Sequence, residues 1–222
     1  MTTFVVVPAF NEEQTIGEVV RLLRPYADHV LVVDDGSSDR SGVIASEAGA
    51  HVITHVMNRG LGAALGTGIS EAFRRGADAV VTFDADGQHR AEDVPRMVAP
   101  IDAGGADVVI GCRTDDRARM PAKRRFANWC GNALTFVLFG IWVKDSQSGL
   151  RAFSRYAGER MELKCDRMEV SSEIVKEIKR NGFRLEEIPI VPIYTEYSLS
   201  KGQSFVVGLK TAGKLLIRRI MQ

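Results

Sequence analysis

The sequence predicts an α/β fold, built as a mostly parallel, open β-sheet flanked by helices. Short β-branched runs alternate with longer amphipathic segments through the first half of the chain, which is typical of right-handed βαβ units. Acidic clusters directly follow two of these runs, at the strand ends where such sheets bind ligands. The 222 residues are enough for one sizeable hydrophobic core, so we expect a single domain over 1–222.

Each element of this fold has a local signal. β-branched and apolar runs predict strands over 3–7, 29–33, 51–54, 79–83 and 107–110. Helical spacing of apolar residues predicts helices over 13–26, 39–48, 60–75 and 92–103. We expect Asn11 to cap the first helix, because acidic residues follow it directly. The second half predicts an apolar helix over 126–139, a helix over 171–180 and strands over 183–188 and 190–194.

Composition excludes several classes of protein. The chain has 29 Lys and Arg against 28 Asp and Glu, a net charge of +1, so no overall attraction to nucleic acid is expected. The cysteines at 112, 130 and 165 form no C-x-x-C pair, which argues against a disulfide framework or a zinc site and favours the reducing cytosol. No signal peptide is visible, and the most apolar stretch is about half the ~20 residues of a membrane span. Membrane contact, if present, is expected to be peripheral.

Two weaker patterns have structural explanations. The glycines at 60, 62, 66 and 68 do not follow the first strand with dinucleotide-binding spacing, so we expect them to permit close helix-sheet packing. His51 and His55 fall on a strand and its loop rather than on one helix face, which favours ordinary strand or surface histidines over a metal site.

Acidic clusters follow the second and fourth predicted strands. The first is Asp34-Asp35-Gly-Ser-Ser-Asp39 and the second is Asp84-Ala-Asp86-Gly-Gln-His. Either cluster alone could be a turn, since Asp and Gly favour turns. Asp84 and Asp86 flank one small residue, so both carboxylates can face the same side of the loop. Such a pair can hold Mg²⁺ or Mn²⁺ against a diphosphate.

Several motifs occur in a fixed order, namely VVVPAFNEE, VVDDGSSD, NRGLGAALGTGI, DADGQH, GCR, DSQSGLRAF and EVSSEI followed by EIPI. This series resembles the GT-A, family 2 glycosyltransferases, and most closely their dolichyl- or polyprenyl-phosphate mannose or glucose synthase branch. The resemblance covers about residues 4–204. It implies a GT-A fold and inverting transfer of a hexose from GDP-mannose or a UDP-sugar to a polyprenyl or dolichyl phosphate. It also implies a peripheral enzyme at the cytoplasmic face of a membrane.

The resemblance assigns roles by position. The nucleotide sugar would be bound by Pro8, Phe10, Glu12, Val33, Asp35, Asp84, Ala85, Asp86, Gln88 and Arg113. The metal, Mg²⁺ or Mn²⁺, would be held by Asp84, Asp86 and Gln88. The acceptor phosphate would be bound by Arg124, Asn128 and Lys201, although relatives commonly have Ser where this chain has Asn128. Catalysis would rest on Asp86, Arg113 and Asp145. The last is either a general base or a turn residue that shapes the acceptor site.

Alternatives remain open at this point. The acceptor could be a soluble molecule or a glycan, and a non-catalytic nucleotide-sugar-binding module is the rival of another class. The basic run 117–125 is either a solvated loop or, beside the apolar helix, part of a membrane-facing cleft. Residues 204–222 could form an amphipathic helix that lies on an anionic bilayer or packs on the domain. The base and sugar of the donor and the oligomeric state are not determined.

Overall fold

The computed structural model describes residues 1–113, 129, 132, 133, 135–137 and 139–193. Within them lie the strands β1 (Thr3–Ala9), β2 (His29–Asp34), β3 (His51–Thr54), β4 (Ala79–Thr82), β5 (Val108–Cys112), β6 (Arg151–Ser154) and β7 (Leu185–Pro189). They form one sheet in the order β3-β2-β1-β4-β6-β5-β7. β6 runs antiparallel to its neighbours β4 and β5, and the other pairs are parallel. The predicted mostly parallel sheet is confirmed.

Helices cover both faces of this sheet. The described helices are α1 (Ile16–Leu23), α2 (Ser41–Glu47), α3 (Leu61–Arg74), α4 (Asp93–Asp102), α5 (Arg155–Arg160) and α6 (Val170–Asn181), with a 3₁₀ turn at Arg24–Tyr26. In the predicted apolar helix over 126–139, the described residues up to 139 are helical. No helix in the described part of the chain has the length and hydropathy to span a bilayer.

The core lies in two layers, one on each face of the sheet. Side chains alternate along β1, so Val5 and Val7 pack into one layer while Phe4 and Val6 pack into the other. Helices α1, α2 and α4 cover the first layer with their apolar faces, and α3, α5 and α6 cover the second. The sheet is therefore buried on both faces, and its strand ends are where functional side chains can reach the surface.

A glycine on α3 permits the close helix-sheet packing that the sequence predicts. A Cβ at Gly68 would lie 2.3 Å from Cγ1 of Val6, and a Cβ at Gly62 would lie 1.8 Å from the backbone oxygen of Cys165. Gly66 differs, because a Cβ there would meet no atom within 4 Å. The helix-sheet packing explanation is confirmed at Gly68, which lies against β1 and β2. It is wrong for Gly60 and Gly62, which lie against the loop residues Asp166 and Cys165, and for Gly66, which has no close neighbour.

The prediction of Asn11 as a helix cap is wrong. Helix α1 begins at Ile16, after Thr15, and Asn11 instead adopts a left-handed backbone with φ of 55°. Its side-chain oxygen accepts a hydrogen bond from the backbone N–H of Ser38 at 2.9 Å. Asn tolerates this conformation better than most residues, so its role is to turn the loop after β1 toward the loop after β2.

The second half of the chain differs most from prediction. No strand was predicted near β6, because Arg-Ala-Phe-Ser contains no β-branched residue and half of it is polar. The strand over 190–194 is wrong for its described residues, since β7 ends at Pro189 and 190–193 are not in a strand. Pro189 and Pro192 have no N–H for a ladder. The chain instead leaves the sheet, and the Ile193 N–H donates to the backbone oxygen of Gln88 at 2.8 Å.

Candidate active site

The predicted site residues that the structure describes lie along one edge of the sheet. β1, β2 and β4 run parallel, so the loops that follow them share an edge, and β5 delivers Arg113 to the same side. Because β6 is antiparallel, its start and the preceding turn also lie there. This is the edge at which open α/β sheets bind ligands.

The loops after β1 and β2 are joined by hydrogen bonds. The backbone N–H of Asn11 donates to Oγ of Ser37 at 3.0 Å, and that of Glu12 donates to Oγ of Ser41 at 2.7 Å. Asp39 accepts from both the N–H and the hydroxyl of Ser41. Partial burial raises the pKa of Asp39, but the hydrogen bonds from Ser41 and Glu13 outweigh it, so this pKa lies below its ordinary value. The carboxylate stays charged and holds the two loops together.

The residues assigned to the base and ribose differ in accessibility. Phe10 is 45% exposed at the rim of the site, while Pro8 and Glu12 are half-buried beside it. Val33 is fully buried, and its Cγ2 would touch a Cβ at Gly68, so the structure does not bring this side chain to the surface. Phe10 is therefore the member of this set that presents an open apolar surface to a ligand.

Asp35 is buried and fully engaged within the protein. Its Oδ1 lies 2.7 Å from Nδ1 of His55 and accepts from the N–H of Arg59 at 3.0 Å, and its Oδ2 accepts from the N–H of Gly60 at 2.6 Å. Nε2 of His55 lies 3.0 Å from Oγ1 of Thr67 on α3. The expectation of an ordinary strand or surface histidine missed this role. β2 and β3 pair in parallel with Asp34 opposite Thr54, so the residues that follow, Asp35 and His55, lie side by side.

Asp84 lies just after β4, next to His89 and the turn at Gly149. Its Oδ2 lies 2.9 Å from Nε2 of His89, which is buried, while the Asp84 side chain is 37% exposed. A Cβ at Gly149 would lie 2.1 Å from Oδ2, so only glycine fits the turn against this carboxylate. Partial burial raises the pKa of Asp84, but the His89 contact and the charges of Arg113 and Arg151 lower it below its ordinary value.

Asp86 shares this loop but has a different electrostatic environment. The backbone N–H of Gln88 donates to Oδ1 of Asp86 at 3.0 Å, and the Gln88 side-chain amide contacts Oδ2. Burial and the charge of Asp84 raise the pKa of Asp86. Ala85, between the two carboxylates, is buried. The small residue between them allows both acids to face one site.

These residues fit a divalent cation that is shared with a substrate. Among the described residues, no three His, Cys, Asp or Glu side chains are grouped closely enough to enclose an ion. Mg²⁺ is commonly held by one or two carboxylates, with water and substrate phosphate completing its shell. Asp84 and Asp86 supply such oxygens, and a cation would offset the repulsion that raises the pKa of Asp86.

Arg113 and Asp145 form a bidentate ion pair. Nε of Arg113 donates to Oδ2 of Asp145 at 2.7 Å, and Nη2 donates to Oδ1 at 2.8 Å. The Asp145 side chain is only 4% exposed. Both of its oxygens already accept hydrogen bonds, so the geometry favours a carboxylate that orients Arg113 over a free general base.

Arg151, on β6, was not predicted as a site residue. It is fully buried, its Nη2 donates to the backbone oxygen of Ser146 at 3.0 Å, and its Nε has no partner within the described residues. Burial lowers the pKa of Arg151 to about 10, although Asp84 and Asp145 oppose the shift. The sequence around this arginine does not indicate that it is buried. Its position in the motif DSQSGLRAF was the one signal that could have marked it as a site residue.

The three residues assigned to the acceptor phosphate, Arg124, Asn128 and Lys201, lie outside the described residues, as does the segment 204–222. Their roles stay predictions.

Comparison with known proteins gives the family. The profile described as glycosyl transferase family 2 matches residues 4–160. The chain belongs to this family. As a family 2 glycosyltransferase, the protein is an enzyme, and the non-catalytic alternative loses its support.

Relatives of this glycosyltransferase span nearly its whole length. An uncharacterized protein of Methanocaldococcus jannaschii is 46% identical over 98% of this chain and 92% of its own. The UDP-N-acetylglucosamine–dolichyl-phosphate N-acetylglucosaminyltransferase of Methanococcus voltae is 35% identical over 98% of this chain and 96% of its own. The polyprenol monophosphomannose synthase of Mycolicibacterium smegmatis is 31% identical over 90% of this chain and 80% of its own.

A solved structure shares the fold of this glycosyltransferase. Glucosyl-3-phosphoglycerate synthase from Mycobacterium tuberculosis, crystallised with Mn²⁺, UDP-glucose and phosphoglyceric acid, has a TM-score of 0.77. The match covers 98% of this chain and 79% of that chain at 23% identity. The likeness establishes the GT-A fold.

Proposed function

We propose that this glycosyltransferase transfers a sugar from a nucleotide sugar to a polyprenyl or dolichyl phosphate, with Mg²⁺ or Mn²⁺ as cofactor. The main support for this reaction is that Asp84, Asp86 and the Arg113–Asp145 pair lie together at one edge of the sheet. The acceptor class is supported by the relatives named for transfer to dolichyl phosphate and for polyprenol monophosphomannose synthesis.

The donor would lie across the loops after β1, β2 and β4. Exposed Phe10 offers an apolar surface for the base, beside Pro8 and Glu12. Asp35 holds the loop 55–60 in place through its hydrogen bonds, so it shapes the ribose side of the pocket. The donor is GDP-mannose or a UDP-sugar, with a hexose or an N-acetylhexosamine to transfer.

The diphosphate would lie over the DADGQ loop. Asp84, Asp86 and Gln88 would hold the cation, which when bound supplies Lewis-acid stabilisation of the departing diphosphate. Two features of the chain prepare this site. His89 fixes one oxygen of Asp84, and the absence of a side chain at Gly149 leaves room for that carboxylate.

The transfer step requires positioning more than proton removal. A phosphate monoester is largely ionised near neutral pH, so its oxygen can attack the anomeric carbon directly, with inversion and departure of the nucleoside diphosphate. Arg113 presents a fixed positive charge to the phosphates, because Asp145 orients its guanidinium on one side. Asp145 therefore serves the reaction through Arg113 and need not act as a base.

The acceptor would approach from the side of the helical residues described at 129, 132, 133, 135–137 and 139. Trp129, Phe136, Val137 and Trp142 are all exposed by about half or more, and the rings of Phe136 and Trp142 meet edge to face at 5.8 Å. Tryptophan and apolar side chains favour the bilayer interface, and Arg124, Asn128 and Lys201 would receive the phosphate there. The exposed side chains support peripheral association with a membrane, and the proposed site of action is its cytoplasmic face.

A panel of GDP- and UDP-sugars with a polyprenyl phosphate, assayed with and without a chelator, tests this function. We expect one donor class to give a glycosyl phosphate lipid in a reaction that chelation abolishes. Transfer to a soluble glycan but not to the lipid would support the alternative acceptor. Donor binding without any sugar transfer would contradict the proposal.

A further inference from the structure

The backbone on either side of Asp145 is held at four points by side chains. The Lys144 N–H donates to Oε1 of Glu187 at 2.7 Å, and the Lys144 oxygen accepts from Nδ2 of Asn132 at 2.6 Å. The Ser146 N–H donates to Oδ1 of Asn132 at 3.0 Å, and the Ser146 oxygen accepts from Nη2 of Arg151 at 3.0 Å. Every backbone polar group of the residues that flank Asp145 is thus bound to a side chain from another element.

Asn132 forms hydrogen bonds to the residues on both sides of Asp145. Its amide nitrogen binds the preceding residue, while its amide oxygen binds the following one and also accepts from the Ser146 hydroxyl at 2.8 Å. Asn132 is buried. Binding both residues at once requires a side chain with a donor and an acceptor group a fixed distance apart. Asn has both groups and few rotatable bonds.

Asn132 also belongs to the helical residues that carry the exposed aromatic side chains. Trp129 and Phe136, on the same helical stretch, are 59% and 47% exposed. Thr135, one turn after Asn132, is buried with its Oγ1 3.4 Å from Oγ of Ser172 on α6. Trp129 and Phe136 therefore face solvent, while Asn132 contacts the turn with Asp145 and Thr135 contacts α6.

The hydrogen bonds of Asn132 with Lys144 and Ser146 hold the turn that orients Arg113. Asp145 binds the guanidinium of Arg113 through both oxygens, so a shift of the turn moves the guanidinium with it. Loss of the Asn132 amide would leave the Lys144 oxygen and the Ser146 N–H without these partners, in a region where unsatisfied polar groups are costly. A misplacement of about 1 Å at a reacting centre can cost on the order of 100-fold in rate.

We propose that Asn132 is a positioning residue for sugar transfer, which couples the helical residues described around it (129, 133, 135–137 and 139) to Arg113 through Asp145. The inference rests on the role proposed above for Arg113. It adds that the orientation of this arginine depends on a residue from the acceptor side of the enzyme. Asn132 itself need not touch either substrate.

Steady-state kinetics of Asn132→Ala test the proposal, with Thr135→Val as the matched control. Both substitutions remove a buried polar contact of a helical residue. Among the described hydrogen bonds, those to the turn come from Asn132, whereas that of Thr135 goes to Ser172. We expect Asn132→Ala to lower kcat by about 10- to 100-fold, with a much smaller change in the KM for nucleotide sugar. Thr135→Val should keep a kcat close to that of the wild type. An unchanged kcat in Asn132→Ala, or an equal loss in the control, would overturn the proposal.

A double-mutant cycle with Arg113→Lys distinguishes positioning from general destabilisation. If Asn132 acts through Arg113, its substitution in the Arg113→Lys background should cost far less than in the wild type. Losses that simply multiply would overturn the inference. Should Asn132→Ala not fold, Asn132→Ser serves in the same cycle, since its hydroxyl is too short to bind both flanks of Asp145.

The cycle also separates the inference from the proposed function. A loss of transfer in Arg113→Lys without any loss in Asn132→Ala would reject the positioning role alone. Full transfer activity in Arg113→Lys would reject the proposed role of Arg113 and, with it, the inference.

Discussion

Replacing Gly149 with alanine would place a methyl group against the carboxylate of Asp84. The added Cβ would lie 2.1 Å from Oδ2 and 2.2 Å from Oδ1 of Asp84, whereas ordinary contacts begin at 3.4 Å. The carboxylate would therefore have to move by about 1.3 Å. A displacement of this size at a group that binds the reacting substrate is expected to lower the rate on the order of 100-fold.

The effect of Gly149→Ala on stability should be smaller than its effect on activity. The clash involves the end of a side chain, so Asp84 can rotate away at the cost of its contact with His89. Asp84 is 37% exposed, which limits the loss to on the order of 1 kcal/mol. For a chain of this size that corresponds to a melting temperature lower by roughly 2–4 °C.

Initial rates of sugar transfer, measured over a range of Mn²⁺ concentrations, provide the assay. Gly66→Ala is the matched control, because a Cβ at Gly66 on α3 meets no atom within 4 Å. That control should keep full activity and gain about 0.5–1 kcal/mol of stability, as expected for alanine in a helix. A Gly149→Ala enzyme that keeps most of the wild-type rate would refute the inferred position of Asp84 in the reaction.

Three further predictions concern packing, acceptor binding and membrane contact. Gly68→Ala would set a Cβ 2.3 Å from Val6, so chemical denaturation should show a loss of about 1–3 kcal/mol, and unchanged stability would contradict the packing. Arg124→Ala should raise the KM for lipid phosphate much more than that for nucleotide sugar; equal effects would assign the residue to the donor or the fold. Cosedimentation with anionic vesicles should be lost, with little change in melting temperature, when three basic residues are changed to Glu: Lys210, Lys214 and Arg218. Unchanged sedimentation, or a large loss of stability, would favour a helix packed on the domain.

The sheet and the acidic loops could be predicted from sequence because their signals are local. Strands β1, β2 and β4 are runs of apolar and β-branched residues, and both acidic clusters directly follow such runs. Parallel strands bring their carboxyl ends to one edge, so the placement of Asp35, Asp84 and Asp86 along the same edge follows from topology alone.

The contacts that orient these residues could not be predicted, because they join distant parts of the chain. Arg113 meets Asp145 32 residues later, and Lys144 meets Glu187 43 residues later. Burial of Arg151 depends on β6, whose four residues carry no strand signal. Such pairings are set by how β6 and β7 pack beside β5, and hydrophobic periodicity contains no information about that order.

The most direct test of metal-dependent transfer compares Asp86→Asn with the wild type in the formation of a glycosyl phosphate lipid. The variant keeps the shape of the side chain but removes the charge that would hold the cation beside the diphosphate. We expect turnover to be at least ~100-fold lower in Asp86→Asn, with an intact fold, and wild-type activity to be lost on addition of chelator. Full lipid glycosylation by the variant, or by the wild type in chelator, would contradict a metal-dependent transfer at this site.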